Sequence, residues 1–295
     1  MTEPEFPDHE YLTVPELADL LRLKERKIYD LAASGEVPCS RATGKLLFPA
    51  GEIRAWIARA KSGGEAAPVV RPQVLLGSHD PLLDWAVRQS RSGLASYFDG
   101  SMDGLERFVN GEGIAAGLHL RDAKSGTWNI PAVQKMAAGQ NAVLIRFATR
   151  ARGLVSREDA PALASLKDLI GLRLAPRQPE SGTDRLFRDL AAAEKLDLDR
   201  LTLTDIARSE DEAVESVRRG TADVTFGLEA VARAYGLRFA PLIVEEFALL
   251  VDRKAWFDPA FQTFQSFCLS DSFARRAAEM GGYDTSDFGA VLWNG

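Results

Sequence analysis

The sequence predicts an α/β protein with two parts, a small helical head and a larger domain in which strands and helices alternate. Three features favour this fold class. Two short amphipathic helical segments with a tight break between them lie near the start, a segment rich in Gly, Ala and Pro follows at 62–73, and apolar strand patterns alternate with amphipathic helices from 74 onwards. Such alternation is typical of a doubly wound sheet. The 295 residues are enough for both parts.

The first predicted helix of the head begins with a capping box. Thr13 is the candidate N-cap, Glu16 lies three residues after it, and Pro15 stands in the first turn, where proline is tolerated. Leu17 and Leu21 continue one apolar face at helical spacing. The segment therefore reads as a short helix packed on one side.

A second helix is predicted at 24–33, after a short break. It buries Ile28 and Leu31, and Gly35 stands in the usual position for a helix stop. Two short helices with a tight break between them present a recognition helix to the major groove of DNA. The pair predicts a helix-turn-helix.

The residues after the second helix predict a wing. The segment VPCSRATGKLLFP is strand-like on both sides of Thr43–Gly44, which indicates a hairpin with Arg41 and Lys45 near its tip. A third helix, carrying Trp56 among its apolar residues, follows Pro49. Helix, helix and wing together predict a DNA-binding head at 11–61.

The same segment resembles the excisionase/MerR-type winged helix-turn-helix family. The shared pieces are the L-T-V-x-E-x-A-x-x-L opening, R-K-I-Y in the second helix, the G-x-V-P turn and the final E-I-x-x-W-I. In that family the second helix and the wing contact DNA, so the resemblance implies an operator in double-stranded DNA as partner. Lysine and arginine neutralise phosphates, and arginine also reads guanine edges. The implied DNA-contact residues are Lys24, Arg26, Lys27, Tyr29, Arg41 and Lys45.

Charge sets a limit on how the head can bind DNA. The head carries nine Lys and Arg against six Asp and Glu, whereas the whole chain has a formal net charge of -6. DNA affinity must therefore come from a local patch, and two heads in one assembly would bind more firmly than one. We expect a homo-oligomer, most simply a dimer.

Composition argues against several other classes of protein. The tail at 1–10 is acidic and lacks the apolar core of a signal peptide, and no apolar run approaches the length of a membrane span. Cys39 and Cys268 fall in different predicted domains, and the three histidines are scattered without ligand spacing. We expect a cytoplasmic protein without a disulfide, metal site, cofactor or contact with a membrane.

The larger domain, 74–295, shows a repeated strand and helix pattern. Helical patterns, such as DPLLDWAVRQS and TDRLFRDLAAAEKL, separate the apolar strands. The domain contains no Gly-x-Gly-x-x-Gly, no Walker loop and no Gly-x-Ser-x-Gly, which argues against a nucleotide site and a serine hydrolase. The strand candidates are 74–78, 94–98, 113–120, 142–150, 172–177, 222–228 and 240–252.

Polar loops at the ends of three strands point to a binding site. They lie at 77–81, 100–104 and 177–183, and each opens into a predicted helix. A helix N-terminus offers free amide N–H groups and a partial positive charge, and converging N-termini suit a small anion. Plain N-capping explains any one of these loops taken alone. Arg177 adds a cation, unless it only pairs at the surface with Glu180.

Residues 74–295 look like a periplasmic-binding-protein-like (type II) domain of the kind fused to such heads in bacteria. The resemblance rests on G-S-H-D-P, the GSMDGL loop, A-G-x-H-L and A-D-V-x-F-G-L-E. R-Q-P-E-S-G-T is also similar to the R-x-x-x-S-G-T loop of molybdate- and tungstate-binding proteins, where hydroxyls, amides and an arginine hold the oxyanion. The implied ligand-binding residues are Ser78, His79, Ser101, Met102, Arg146, Arg177, Ser181, Gly182, Thr183 and Glu229.

Chemistry ranks the candidate ligands. Molybdate and tungstate are fully deprotonated dianions at neutral pH, so they require hydrogen-bond donors only, and serine, threonine, amides and arginine supply them. Asp80, Asp103 and Glu229 lie in or beside the loops. If one of them points inward, phosphate or a larger, partly cationic ligand becomes plausible.

The resemblance also implies two lobes that close on the ligand. Lobe one is expected at 74–150 and 248–295, and lobe two at 151–247, with the chain crossing between them near 146–153 and near 247–252. Lobe closure is the bistable element that a ligand would bias.

Three functions compete. The leading hypothesis is a one-component transcription regulator that senses an oxyanion, molybdate or tungstate being favoured over a molybdopterin-like or other organic anion. An enzyme that acts on a phosphorylated or molybdopterin-like substrate would use His79, Asp80 and Glu229 as acid and base groups, but no nucleophile–base pair is visible. An architectural DNA binder would bind DNA without any ligand. The aromatic residues Trp85, Trp128 and Trp256 are assigned to the core or to an interface.

Overall fold

The computed structural model describes residues 10–41, 44–60, 71–179 and 181–295, apart from the side chains of Ala58 and Arg59. The chain divides into two compact units, with the boundary between residues 69 and 70. The predicted tip of the wing at Thr43, the predicted partner Glu180, and most of the predicted tail and linker lie outside the described residues.

The first unit consists of a two-stranded antiparallel sheet and three helices. Leu12 of β1 pairs with Phe48 of β2. An antiparallel bridge between Ser40 and Leu47 joins the two sides of the wing hairpin. The elements are β1 (Tyr11–Leu12), α1 (Val14–Leu21), α2 (Glu25–Ala33), β2 (Phe48–Pro49) and α3 (Ala50–Arg59).

The capping box predicted for the first helix is present. The Thr13 amide donates to Glu16 Oε2 at 2.7 Å, and the Thr13 hydroxyl donates to the same oxygen at 2.8 Å. Leu17, Ile28 and Phe48 are fully buried in the small core that joins the helices to the sheet. The predicted winged helix-turn-helix fold is therefore confirmed.

The second unit is built on one mixed sheet flanked by helices. The order of its strands is β4-β3-β5-β10-β6-β9-β7-β8, with β11 and β12 also pairing with β6. Its strands are β3 (Val74–Gly77), β4 (Ala95–Phe98), β5 (Ala115–Leu118), β6 (Ala142–Ser156), β7 (Arg173–Ala175), β8 (Thr202–Leu203), β9 (Val224–Leu228), β10 (Arg238–Asp252), β11 (Tyr283–Asp284) and β12 (Val291–Asn294). Its helices are α4 (Pro81–Ser90), α5 (Ser101–Val109), α6 (Ile130–Ala137), α7 (Gly182–Ala193), α8 (Glu210–Arg218), α9 (Glu229–Ala234), α10 (Pro259–Cys268) and α11 (Asp271–Met280).

Two long strands, β6 and β10, run antiparallel along almost their whole length and join two lobes. The strand predicted at 142–150 was too short, because β6 continues without interruption to Ser156. Parallel strands are added on each side, β3, β4 and β5 in one lobe and β7, β8 and β9 in the other. The α/β fold predicted for the larger domain is confirmed.

The lobes have separate hydrophobic cores. We define lobe one as 71–148 with 248–295, where β10 pairs with β5, and lobe two as 153–242, where β6 pairs with β9. Phe147 and Phe261 belong to a core of lobe one, and Leu154 and Phe226 to a core of lobe two. Between the lobes, the strands cross at 149–152 and 243–247, and a register shift at Phe247 ends the second crossing.

Glycines allow the loops of lobe one to approach each other. Gly77 has φ 101°, and a Cβ atom on it would lie 2.2 Å from the Gly117 carbonyl oxygen. A Cβ atom on Gly104 would lie 2.2 Å from Gly77 Cα. Because only glycine fits such contacts without strain, the first turn of α5 lies directly against the ends of β3 and β5.

The described end of the predicted linker packs on the second unit. Arg71 pairs with Asp252 at 3.3 Å and also donates to the carbonyl oxygen of Gly113 at 3.0 Å. Gln73 Nε2 donates to Asp258 Oδ2 at 3.2 Å. These contacts attach 71–73 to lobe one ahead of β3.

Candidate ligand-binding cleft

A cleft of about 480 Å³ lies between the two lobes. Lobe one contributes the loops that follow β3 and β4 and the end of β5, while lobe two contributes the segment leading into α7 and the start of α8. The lining residues are Ser78, His79, Phe98, Asp99, Gly100, His119, Arg152, Arg177, Gln178, Ser181, Gly182, Thr183, Arg208, Ser209, Glu210 and Asp211.

Ser78 and Gly100, which precedes α5, line the cleft on the side of lobe one. Ser101 is buried next to them: Ser78 Oγ and Ser101 Oγ are 2.8 Å apart, and the amide of His119 donates to Ser101 Oγ at 3.0 Å. Helix α5 begins at Ser101 after Gly100, which has no side chain to cap it. The amides of Ser101 and Met102 have no backbone acceptor within the described part of the chain, as is usual in the first turn of a helix.

A second helix N-terminus forms the wall on the side of lobe two. Ser181 is the N-cap of α7, and its Oγ accepts from the amide of Asp184 at 3.1 Å. The amides of Gly182 and Thr183, in the first turn, find no acceptor among the residues described. The N-terminal ends of α5 and α7 thus both contribute to the cleft, and each carries a partial positive charge.

A network of ion pairs with alternating charges crosses from one lobe to the other beside the cleft. In lobe one, Arg150 Nη1 donates to Asp80 Oδ2 at 2.6 Å, and Arg150 Nε donates to Glu245 Oε2 at 2.8 Å. The Tyr283 hydroxyl also donates to Asp80 Oδ2, at 2.7 Å. Arg150 and Glu245 lie directly opposite each other on β6 and β10, so the ion pair connects the two crossing strands.

The network of ion pairs continues into lobe two through Arg152. Its Nε donates to Glu245 Oε2 at 2.9 Å, and its Nη1 donates to Glu210 Oε1 at 2.8 Å. Arg177 Nη1 reaches the same oxygen of Glu210 at 3.1 Å. The Arg152 side chain is only 1% exposed and lines the cleft.

This network of ion pairs is electrically balanced, and its two glutamates stay ionised. Three arginines face three carboxylates. Burial alone would raise the pKa of Glu210, but the guanidinium groups of Arg152 and Arg177 outweigh it and lower that pKa to about 2. For Glu245, burial is again outweighed by Arg150 and Arg152, which hold its pKa well below the usual range. Opposite charges at such distances favour the ionised forms.

His119 is the point where the lobes touch. Its Nδ1 bonds to Glu245 Oε1, its ring stacks on Phe247 with centroids 5.9 Å apart, and a Cβ atom on Gly182 would lie 2.5 Å from its Cε1. Burial lowers the pKa of His119, with Glu245 opposing the shift and Arg150 reinforcing it. The neutral ring therefore donates from Nδ1 to the carboxylate and leaves Nε2 as an acceptor.

Acidification should destabilise the second unit through His119. A histidine in the unfolded chain has a pKa of about 6.5. Because the folded value is lower, protons bind preferentially to the unfolded chain below that pH, and the free energy of unfolding should fall by up to about 1.4 kcal/mol per pH unit. Urea unfolding at about pH 7 and about pH 5.5 measures this loss, above the range where the carboxylates begin to titrate.

The direct check is the imidazole resonance of His119, whose titration midpoint should lie below that of a histidine in the unfolded chain. A midpoint at or above about 6.5 would contradict the lowered pKa. The variant His119→Gln is the control, and its unfolding should depend less on pH over the same interval.

The structure brings most of the predicted ligand residues to this cleft. Ser78 lies on the side of lobe one, and His79 stands exposed at the rim with its ring 5.8 Å from that of Phe98. The residues placed on the side of lobe two are Arg177, Ser181, Gly182 and Thr183. Their role in binding remains a prediction.

Four predicted ligand residues do not line this cleft. Ser101 is buried next to Ser78, with the two hydroxyl oxygens 2.8 Å apart. Arg146 pairs with Glu246 at 2.7 Å and with Asp287 at 3.0 Å, so its charge is already neutralised outside the cleft. Glu229 pairs with Arg233 at 3.4 Å, one turn along α9. Met102 packs against a core of lobe one and lines a second cavity, of about 380 Å³, beyond His119.

Sequence reasoning missed Arg152, Glu210 and His119, which line the cleft. One signal was available, since arginines at 150 and 152 interrupt an otherwise apolar strand, and buried arginines require carboxylate partners. The partners, Glu210 and Glu245, could not be identified because they lie 58 and 93 residues away from Arg152 in the sequence.

The predicted DNA-contact side chains are exposed on the first unit. Tyr29 of α2 lines a groove together with Arg41 and Lys45 of the wing and the start of α1. The other three, Lys24, Arg26 and Lys27, lie exposed at the beginning of α2.

The described part of the chain contains no group of three or more histidine, cysteine, aspartate or glutamate side chains that could hold a metal ion. None of its helices combines the length and the apolar character needed to cross a membrane.

Two lobes joined by long crossing strands, with a polar cleft between them, define a bilobal ligand-binding domain, here preceded by a helix-turn-helix. Residues 85–269 match the PBP superfamily domain, and 11–61 match a helix-turn-helix domain. The chain belongs to the PBP superfamily and carries a DNA-binding type of head.

One relative and two solved structures are similar to this chain. The uncharacterized protein YvgK of Bacillus subtilis (strain 168) is 24% identical over 300 residues, covering 95% of this chain and 97% of that protein. A Clostridium perfringens protein, described as a putative phosphate ABC transporter substrate-binding protein with bound phosphate, has a TM-score of 0.52 and 13% identity over 72% of this chain and 98% of its own. The sulfate-binding protein SubI from Mycobacterium tuberculosis H37Rv has a TM-score of 0.49 and 15% identity over 72% and 86%. The likeness to the Clostridium perfringens structure shows the fold alone.

Proposed function

We propose that this protein is a one-component transcription regulator whose second unit binds a small oxyanion between its lobes and thereby alters DNA binding by the head. The observation that carries the proposal is the composition of the cleft, where the guanidinium groups of Arg152 and Arg177 and the hydroxyl of Ser78 line the same space as the free N-terminal amides of α7. Guanidinium and amide N–H groups are strong donors to an anion. A bound oxyanion accepts from them, and it suits a helix N-terminus as well.

The ligand we favour is molybdate or tungstate. The carboxylates that sequence analysis marked as possible acceptors are engaged by cations, Asp80 by Arg150, Asp103 by Arg107 and Glu229 by Arg233. Asp99 and Asp211 also line the cleft, both exposed, while its serines, amides and arginines offer the donors that a fully deprotonated dianion requires. The loop resembling those of molybdate- and tungstate-binding proteins contributes Ser181, Gly182 and Thr183 to that set.

The size of the cleft favours a second candidate ligand, an organic anion such as a molybdopterin-like compound. A cleft of about 480 Å³ falls in the range of roughly 300–1,000 Å³ that holds organic ligands. In that case the oxyanion group would lie between α5 and α7, and the organic body would fill the remaining space.

An enzymatic role receives no support from the geometry. The acid and base groups it would require are not assembled, because Asp80 is held by Arg150 and Tyr283, and Glu229 lies outside the cleft. We propose instead a binding protein that works as a cytoplasmic dimer on double-stranded operator DNA, with Lys24, Arg26, Lys27, Tyr29, Arg41 and Lys45 as the contacting side chains.

Calorimetric titration of the full-length protein with molybdate, tungstate, sulfate and phosphate tests the ligand. Heat from the first two alone would make the protein a sensor of molybdenum or tungsten, and the same ligands should raise its melting temperature. Absence of heat with all four would refute the oxyanion and direct the search to organic anions.

DNA binding is tested separately. Selection from a random duplex library, with and without the ligand, should enrich one sequence motif and should change in yield when the ligand is added. Enrichment that does not respond to any ligand would instead favour an architectural DNA binder.

A further inference from the structure

One carboxylate oxygen in the cleft already occupies an anion position. Glu210 Oε1 accepts from Arg152 Nη1 at 2.8 Å and from the Thr183 hydroxyl at 2.9 Å, and Arg177 Nη1 lies 3.1 Å away. The three donors come from β6, from α7 and from the segment after β7, and they converge on one atom. Two guanidinium groups and a hydroxyl are the donors that an oxyanion attracts.

The other oxygen of the same carboxylate is poorly satisfied. Glu210 Oε2 is buried and has no hydrogen-bond partner among the described residues, and it lies 3.4 Å from the position that a Cβ atom on Gly227 would occupy. Leaving an acceptor of an ionised group buried and unpaired is costly. Glu210 is therefore held by its contacts on one side only, which makes it easier to displace than a fully bonded carboxylate.

Glu210 also cancels positive charge where the ligand would bind. The other two nitrogens of Arg177, Nε and Nη2, donate to the carbonyl oxygens of Ala207 and Arg208. Arg152 is shared between Glu210 and Glu245. With Glu210 in place, the charges of Arg152 and Arg177 are partly neutralised, and the exposed Arg208 also lines the cleft.

We propose that Glu210 is a specificity-determining residue, a tethered carboxylate that competes with the ligand for Thr183, Arg177 and Arg152. This inference rests on the proposed function, because it assumes an oxyanion in the cleft. Binding of a divalent oxyanion transfers these donors from Glu210 Oε1 to the ligand, while a weakly held monoanion does not displace the carboxylate. Glu210 begins α8, so its displacement moves a segment of lobe two when the ligand enters.

The test is calorimetry on the full-length Glu210→Gln variant with sulfate and molybdate. Glutamine keeps the size and loses the charge, and removal of a charge a few ångströms from an anion at an effective dielectric constant of about 20 should tighten binding at least roughly tenfold. The matched control is Glu229→Gln, the same change on α9 outside the cleft, which should leave the affinity unchanged.

The outcomes separate the two proposals. If the wild type binds an oxyanion and Glu210→Gln binds it equally or more weakly, Glu210 is not a competitor, and only this inference fails. If neither protein binds any of the anions, the oxyanion site itself is refuted, and the inference fails with it.

A second variant guards against misfolding of the first. Glu210→Ala should also bind sulfate more tightly, and added acetate should weaken that binding again by refilling the position of the carboxylate. Acetate should have no such effect on the wild type, where Glu210 already fills the position. An identical response of both proteins to acetate would overturn the competition.

Discussion

Replacement of Glu245 by alanine should lower the melting temperature of the second unit by about 10 °C. Its carboxylate is fully buried and accepts from Arg150 Nε, from Arg152 Nε and from His119. Removal of one partner from a buried charge network leaves the others uncompensated, which costs about 3–5 kcal/mol. Each kcal/mol corresponds to roughly 2–4 °C for a unit of this size.

The matched control is Glu158→Ala. Glu158 pairs with Arg238 at 3.4 Å, but its side chain is 76% exposed. Solvent-exposed pairs contribute about 0–1 kcal/mol, so this variant should melt within about 2 °C of the wild type. Equal melting temperatures for the Glu245 and Glu158 variants would show that the buried network has no stabilising role. Calorimetry or circular dichroism measures both.

The second large effect is expected from Gly182→Ala, which should open the cleft. A Cβ atom at this position would lie 2.5 Å from Cε1 and 2.8 Å from Nε2 of His119. The imidazole is buried and is held in place by its bond to Glu245 and its stacking on Phe247. The overlap is relieved when the lobes separate, so the closed form should lose about 1–3 kcal/mol relative to the open form.

Two measurements follow from that shift. If the ligand binds the closed form, its affinity should fall by roughly 5- to 150-fold. Without any ligand, X-ray scattering should give a larger radius of gyration, and this readout does not depend on the identity of the ligand. The control is Gly139→Ala, whose Cβ atom would meet nothing within 4 Å. A Gly182→Ala protein with the radius and affinity of the wild type would contradict closure around His119.

Local patterns were sufficient to predict the two folds. The capping box at Thr13 and Glu16, the helix stop at Gly35 and the alternation of strands and helices after residue 74 all act between residues close in the sequence. Hydrophobic periodicity and capping depend on neighbours only a few residues away. For this reason the order and the types of most elements could be derived before any coordinates were known, although β8, β11 and β12 were not among the predicted strands.

The loops that line the cleft were predictable for the same reason. The charges that meet at these loops were only partly predictable. Serines and glycines at the starts of α5 and α7 mark helix N-termini in any context. The sequence could not distinguish Arg146, which pairs with Glu246 and Asp287 outside the cleft, from Arg152, which lines the cleft. Both are arginines in the same apolar strand, and only their partners differ.

The amino-acid sequence alone determined the order of most helices and strands, the DNA-binding type of head and the loops that meet at the cleft. What only the tertiary structure decided is which charges meet there, with Asp80, Glu210 and Glu245 arriving from 58 to 95 residues away to pair with Arg150 and Arg152. The physical reason is that the energy of a buried ion pair depends on distance in space and on exclusion from water. Neither quantity is written in local sequence, and both are set when β6 and β10 cross between the lobes.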